Sequence, residues 1–388
     1  MKILVAPNSF KQSLSSKEAA DKIAYGIRQV LPDVEILSVP LADGGEGTVQ
    51  SLVDATSGKI IKTTVHDPLM RKVGSYFGML GDGKTMVIEM AAASGIELLQ
   101  TIELNPLKTT TYGTGELIKS AMDLGCNTMI IGIGGSATND GGAGMAIALG
   151  VKFLDIGRNE IGQGGESLST LAKIDLSGLD QRLKSCKVIV AADVNNPLTG
   201  NNGASRIYAP QKGASPDDVE LLEKNLKHYA AIIREQLKID IENMPGSGAA
   251  GGLGAGLMAF TNAKIENGFN VVSQIIGLEE KIIKSDLIIT GEGKIDEQTQ
   301  FGKTPQGVAT LAKKYQKPVI AFAGTLGEGF ESLYHQGFDQ ILPISHKRIS
   351  QEESIRNAGQ LLENAARQMA GGLKKNGLKF IRHGLFED

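Results

Sequence analysis

The sequence predicts an α/β protein built on mainly parallel sheets, and three observations point there. Short apolar runs alternate with helix-period segments along the chain, and the runs are continuously apolar. Nearly every run is followed by a polar loop, most of them carrying glycine. Strands covered by helices on both faces have no solvated side, so unbroken Val/Ile/Leu stretches signal a buried parallel sheet.

The first strand is 3–6 (ILVA). Ser15-x-x-Glu18 is a capping box that opens a helix with Ala19, Ile23, Ile27 and Val30 on one face. Further strands follow at 34–39 (VEILSV), 86–90 (MVIEM), 129–133 (MIIGI), 187–192 (KVIVAA), 287–290 (LIIT) and 319–323 (VIAFA). Helical patterns lie at 116–124, 144–150, 215–238 and 352–369, the third with Ser215 as N-cap and Pro216 at the first helical position. The stretch 59–84 differs. Its alternating Thr, Val, Tyr and Phe with frequent turns read as antiparallel strands, and the residues alone place a domain boundary there.

A chain of 388 residues exceeds one typical core, so two domains are expected. A net charge of −3 gives no electrostatic reason to expect nucleic acid or an anionic membrane. Two cysteines, Cys126 and Cys186, exclude a disulfide scaffold and fit a cytoplasmic protein. His66, His228, His335, His346 and His383 are widely separated, with no zinc-ligand spacing. The opening MKILVAPNSF reads as a first buried strand rather than a signal peptide, and no run of about 20 apolar residues suggests a membrane span. Tryptophan is absent and aromatics are 5%, which disfavours a stacking platform for single strands.

Glycine is in excess, at 49 residues or about one in eight against a usual 7%. It gathers at 44–47, 132–144, 162–165 and 246–256, in loops between periodic segments, which favours ligand loops over linkers. The richest is 134–144, GGSATNDGGAG, which follows a strand and precedes a helix starting near Gly144. Backbone without Cβ admits close approach, and a helix N-terminus attracts anions, so this is a candidate phosphate loop; a flexible turn is the alternative.

Open α/β sheets bind ligands at the carboxyl ends of their strands. The chain supplies five such loops: 8–11 (NSFK), 43–48 (DGGEGT), 134–144, 193–197 (DVNNP) and 291–296 (GEGKID). Asp193, directly after a buried strand, suits a base that takes a proton from a substrate hydroxyl, or an Asx turn with Asn195. Lys11 could hold a carboxylate or phosphate oxygen, or be solvated before a helix. Asp43, Glu46, Glu292 and Asp296 offer hard oxygens suited to Mg²⁺, or simply solvate loops. Ser136 and Thr138 could donate hydroxyls to phosphate or cap the next helix.

Three near-matches bound these readings. Gly302-Lys303-Thr304 ends like a P-loop, but Glu297 occupies the first glycine's position. Gly246-x-Gly248-x-x-Gly251 follows Met244-Pro245 rather than a strand. Gly132-x-Gly134-x-x-Ala137 fits a relaxed dinucleotide fingerprint with Asp155 about 20 residues on, so an NAD(P)-dependent hydroxy-acid oxidoreductase is the rival reading.

The ordered segments APNSFKQSLSS (6–16), PLADGGEGT (40–48), GIGGSATNDGGAG (132–144), ADVNNPLTG (192–200), GSGAAGGLGAG (246–256) and TGEGKIDEQTQFGKTPQGVA (290–309) resemble the bacterial type I glycerate kinase family nearly end to end. The resemblance implies transfer of the ATP γ-phosphoryl group to (R)-glycerate, with 2-phosphoglycerate favoured over 3-phosphoglycerate. It implies a discontinuous Rossmann-like domain from residues 1–65 and 290–388, an inserted flavodoxin-like domain from 66–289, and a site in the cleft between them. It further implies Asp193 as base and Lys11 near the carboxylate or the transferring phosphate. Gly134, Gly135, Ser136, Thr138, Asn139 and Asp140 would cradle nucleotide phosphates. Ser9, Asn195 and Gly248 would meet substrate, and Asp296, Asp43 and Glu292 would lie near Mg²⁺. The expected partners are ATP and glycerate, in a monomer or homodimer.

Overall fold

The structure is a computed structural model that describes residues 1–345 and 349–379; His346 and His383 lie outside them. Its strands, in chain order, are β1 (Lys2–Val5), β2 (Glu35–Ser38), β3 (Lys59–His66), β4 (Lys72–Met79), β5 (Thr85–Glu89), β6 (Thr128–Gly132), β7 (Lys152–Leu154), β8 (Lys173–Asp175), β9 (Lys187–Ala191), β10 (Lys264–Glu266), β11 (Leu287–Ile295), β12 (Val319–Leu326) and β13 (Gln340–Pro343). They fall into two compact units, Met1–Asp43 with Phe269–Asp388, and Gly44–Gly268.

The first unit is made by both ends of the chain. Its five strands run in the order β13-β12-β11-β1-β2, and every pairing is parallel. Chain order reverses between β1 and β11, and ligands bind beyond the carboxyl ends of strands at such a point. The Ser15–Glu18 capping box forms as expected and starts the helix Ser16–Arg28, whose Ala19, Ala20, Ile23 and Ile27 are buried. That helix packs on Ala358–Asn376, which supplies Leu362, Ala366, Met369 and Leu373 to the same core.

The second unit carries a six-stranded sheet in the order β10-β9-β6-β5-β4-β3. Its β5, β6, β9 and β10 are parallel, whereas β3, β4 and β5 pair antiparallel. The antiparallel reading of 59–84 therefore holds, and these strands form the edge of the inserted sheet. Because β3 and β4 pair with this sheet, the compact units divide at Asp43/Gly44 and Gly268/Phe269, where the sequence reading divided the chain at 65/66 and 289/290.

Several elements depart from the sequence reading: the strand read as 319–323 runs to Leu326, the helix read as 116–124 starts at Tyr112, and two further departures have a clear cause. The strand expected to end at Thr290 runs on to Ile295, because Gly291, Glu292, Lys294 and Ile295 keep their pairing with β12. The helix expected over 352–369 is two helices, Gln351–Arg356 and Ala358–Asn376, broken where Asn357 leaves helical geometry at φ −103° and ψ 11°. No described helix is long and apolar enough to cross a membrane.

At the end of β5, Glu89 is buried and its Oε1 accepts the Val49 backbone N–H at 2.7 Å, at the start of the helix Thr48–Thr56. Burial pushes this carboxyl up to about 7 despite the backbone donors. A carboxyl whose folded pKa lies above its unfolded value stabilises the fold most at low pH, and that contribution fades as pH rises from about 4.5 through 7. Thermal melts of wild type and Glu89→Gln across this window test the assignment. The wild-type Tm relative to the variant is expected to fall as pH rises; a constant difference would show that Glu89 does not titrate there.

Candidate active site

In the second unit the polar loops leave neighbouring strands side by side. Gly132 of β6 and Ala191 of β9 are register partners, so the glycine loop and the Asp193 loop start from adjacent positions. Within the glycine loop only Gly134 and Gly135 are exposed; Ser136, Thr138, Asn139 and Asp140 are buried. Gly135 sits at φ 73°, and the short helix Ala143–Ala148 follows near the expected start.

Asp140 shapes the loop from beneath. Its Oδ2 accepts the Thr111 N–H and Oγ1–H, both at 2.8 Å, and the Gly144 N–H at 3.1 Å; its Oδ1 accepts the Gly142 N–H at 3.0 Å. Burial pushes this carboxyl up, and these donors pull it back. Position 144 has no room for a Cβ, which would strike Thr110 Oγ1. The loop is also pinned by Thr109 Oγ1–H to the Ala137 carbonyl at 2.9 Å and Asn139 Nδ2–H to Ser205 Oγ at 3.0 Å.

Lys212 lies in the same buried layer, 1% exposed, and was not singled out from the sequence. Its Nζ donates to Ser136 Oγ at 2.7 Å and to the Thr138 carbonyl at 2.6 Å. Burial pushes the ammonium down to about 7, while the Asp140 charge holds it up. In sequence, Pro210-Gln-Lys-Gly213 looks like an ordinary polar turn; only the fold brings it 76 residues back to Ser136.

The 246–256 glycines serve packing in this fold. Gly251, at φ 66°, lies so close to the loop that a Cβ would strike the Thr138 carbonyl, and its own carbonyl accepts the Gly141 N–H at 3.0 Å. Gly248 is buried and donates its N–H to the Asn196 carbonyl at 3.0 Å. Asn195 is exposed. Asp193 is exposed, and its Oδ1 accepts Asn267 Nδ2–H and the Gly268 N–H, both at 3.1 Å, which orients the carboxylate.

In the first unit, Glu292 within β11 and residues following β1, β2 and β11 bring carboxylates near one another. Asp43 Oδ2 accepts Asn8 Nδ2–H at 2.9 Å and Thr304 Oγ1–H at 3.4 Å. Lys303 Nζ stands 3.9 Å from Glu292 Oε1 and 3.6 Å from Asp296 Oδ1, and Lys294 pairs with Asp296 Oδ2 at 2.9 Å. Burial pushes the Glu292 carboxyl up to about 7, against the pull of Lys303. For Asp296 burial is outweighed by the Lys294 bond and the Lys303 charge, which leave it below the ordinary range. Asp296 also caps the turn Glu297–Phe301 by accepting the Gln298 N–H at 3.1 Å. Ser9 is half-buried and donates its N–H to Asn8 Oδ1 at 2.8 Å; Lys11 is exposed, next to Gln12 at φ 66°.

The structure thus groups Asp43, Glu292 and Asp296 with Lys303 in one unit, and Asp193, Asn195, Gly248 and the glycine loop in the other. Among the described residues no cluster of three or more His, Cys, Asp and Glu side chains is arranged to hold a metal ion unaided. The dinucleotide reading finds no support: Ala137 is buried, the helix begins only at Ala143, and Asp155 accepts the Asn159 N–H at 2.8 Å in a hairpin turn.

Residues 3–374 match the model of the glycerate kinase family. The chain is 51% identical to the glycerate 2-kinase of Escherichia coli (strain K12), an alignment covering 96% of this chain and 98% of that one. It is 49% identical to the glycerate kinase of Bacillus subtilis (strain 168), with the same coverages. A crystal structure assigned as glycerate kinase 2 from Salmonella typhimurium LT2 superposes with a TM-score of 0.86 at 48% identity, covering 97% and 98% of the two chains. Family model, relatives and fold together show that this chain belongs to the glycerate kinase family and is an enzyme that phosphorylates glycerate.

Proposed function

We propose that the enzyme transfers the γ-phosphoryl group of ATP to the 2-hydroxyl of (R)-glycerate in the cytoplasm. The observation that carries the phosphoryl-transfer reading is the glycine loop, whose two exposed residues stand above a buried, hydrogen-bonded layer. Exposed glycine backbone at the end of β6 can approach phosphate closely and present N–H groups to its oxygens. The 2-position is favoured because the Escherichia coli relative is a glycerate 2-kinase.

Asp193 accepts the proton of the glycerate hydroxyl as that oxygen attacks phosphorus. The donors from Asn267 and Gly268 hold its carboxylate in one orientation, which supports this reading because a base at that position would need no conformational search. Lys11, exposed beside β1, balances the charge of the glycerate carboxylate or the moving phosphoryl group. Ser9, Asn195 and Gly248 are assigned to the substrate side, Gly248 through the backbone turn that fixes Asn196.

The acid cluster of the first unit fits Mg²⁺ of the kind held by one or two carboxylates together with phosphate oxygens. Its donors are hard oxygens, and Glu292 is a buried carboxyl whose ionised form a nearby cation would favour. One or two of Asp296, Asp43 and Glu292 would hold the ion together with phosphate oxygens, and the ion would neutralise phosphate charge during transfer. The protein's part is positioning and charge balance.

The direct test is to incubate the purified enzyme with ATP, Mg²⁺ and D-glycerate and read the product by phosphorus NMR. A 2-phosphoglycerate signal is expected. A 3-phosphoglycerate signal would overturn the regiochemistry, and no consumption of ATP would overturn the donor. The base is tested by Asp193→Asn, which keeps an oxygen to accept both donors. Its kcat is expected to drop about 10²–10⁴-fold with an unchanged melting temperature. Turnover near wild type would remove Asp193 from that role.

A further inference from the structure

The two cysteines of the chain, 60 residues apart in sequence, meet in the fold with their sulfurs 3.4 Å apart. Neither belongs to the reaction described above. Cys126 stands just before β6 and Cys186 just before β9, and these strands are neighbours in register Thr128 to Lys187. Both side chains pack on the core that carries Met129, Val188 and Leu183, with Cys186 8% exposed and Cys126 half-buried.

We infer that Cys126 and Cys186 form a modification site, a dithiol that peroxides convert to an intramolecular disulfide clamping β6 to β9. A disulfide needs sulfurs about 2.05 Å apart, so the contact must close by about 1.4 Å. The backbone on both sides can supply that. Cys126 lies in the turn before its strand, and Cys186 caps the short turn Gln181–Ser185, so neither is held by a sheet ladder on both flanks.

The chemistry balances with hydrogen peroxide as the two-electron oxidant. One thiol is oxidised to a sulfenic acid as the peroxide O–O bond breaks and one water leaves. The neighbouring sulfur then attacks that sulfur, its proton leaves with the displaced hydroxyl as a second water, and the S–S bond forms. The two sulfurs share a hydrogen bond, so whichever thiol loses its proton leaves a thiolate that the other's S–H stabilises, and the thiolate is the reactive form. The half-buried Cys126 gives the oxidant an approach from solvent.

The bridge would tie the N-terminal ends of the two strands whose opposite ends carry the glycine loop and Asp193. It closes a loop of about 60 residues, for which chain entropy lost by the unfolded state raises Tm by about 5–15 °C.

The experiment treats the full-length protein with a small excess of hydrogen peroxide and follows intact mass, titratable thiols and Tm. The expected result is a mass lower by about 2 Da, simultaneous loss of both thiols, one linked peptide pair containing Cys126 and Cys186, and a higher Tm, all reversed by dithiothreitol. Cys126→Ser should lose both the mass change and the rise in Tm, and Cys186→Ser should do the same. Oxygen added to the wild-type thiols without a link, disulfide-joined dimers, or two thiols that persist would each overturn the assignment.

Discussion

The buried carboxylate of Asp140 is the constraint on which the inserted unit depends. A charged group out of water is costly unless it is hydrogen-bonded and balanced. Thr111, Gly142 and Gly144 supply the bonds, and Lys212 lies close enough for its charge to be felt. These partners come from three stretches of chain, around Thr111, Gly142–Gly144 and Lys212. Satisfying one carboxylate therefore fixes the start of the helix Tyr112–Asp123, the start of Ala143–Ala148 and the path of the glycine loop together.

This turns the usual account of a glycine-rich loop around. Its glycines confer freedom, and the buried layer removes it. Ser136 and the Thr138 carbonyl are held by Lys212, Ala137 by Thr109, and Gly141 by Gly251, so the exposed Gly134–Gly135 step is presented by a rigid base. Preorganised backbone donors are what phosphoryl transfer rewards, because they need no rearrangement when charge develops. The carboxylate cluster of the terminal unit is arranged differently. Asp296 and Glu292 face Lys303 and Lys294 rather than one another alone, which keeps their mutual repulsion in check.

Much of this was legible in the sequence. Apolar runs marked the strands, the Ser15–Glu18 box marked the first helix, and strand-end position marked Asp193, Asp43 and the 134–144 loop as candidates for the proposed site. The strand end at Thr290 was misplaced because glycine and charge at 291–296 look like a turn, while pairing with β12 carries the backbone on to Ile295. The break at Asn357 was hidden because the apolar period continues across it. The roles of Asp140 and Lys212 were out of reach for another reason. A polar residue beside glycines reads as solvent-facing, and only tertiary packing of Thr110–Thr111 and Pro210–Lys212 buries them.

The central claim, that buried Lys212 holds the glycine loop in the shape proposed to receive phosphate, is tested most directly by the pH dependence of ATP·Mg²⁺ binding in wild type and Lys212→Met. Calorimetry on both proteins, with Tm recorded to confirm the fold, would decide it. The account predicts that the variant binds about tenfold or more weakly at neutral pH. It also predicts a change of wild-type affinity near pH 7, where Lys212 titrates, larger than the change shown over the same range by the variant, which keeps Glu292. Equal affinity in two folded proteins across that range would contradict it.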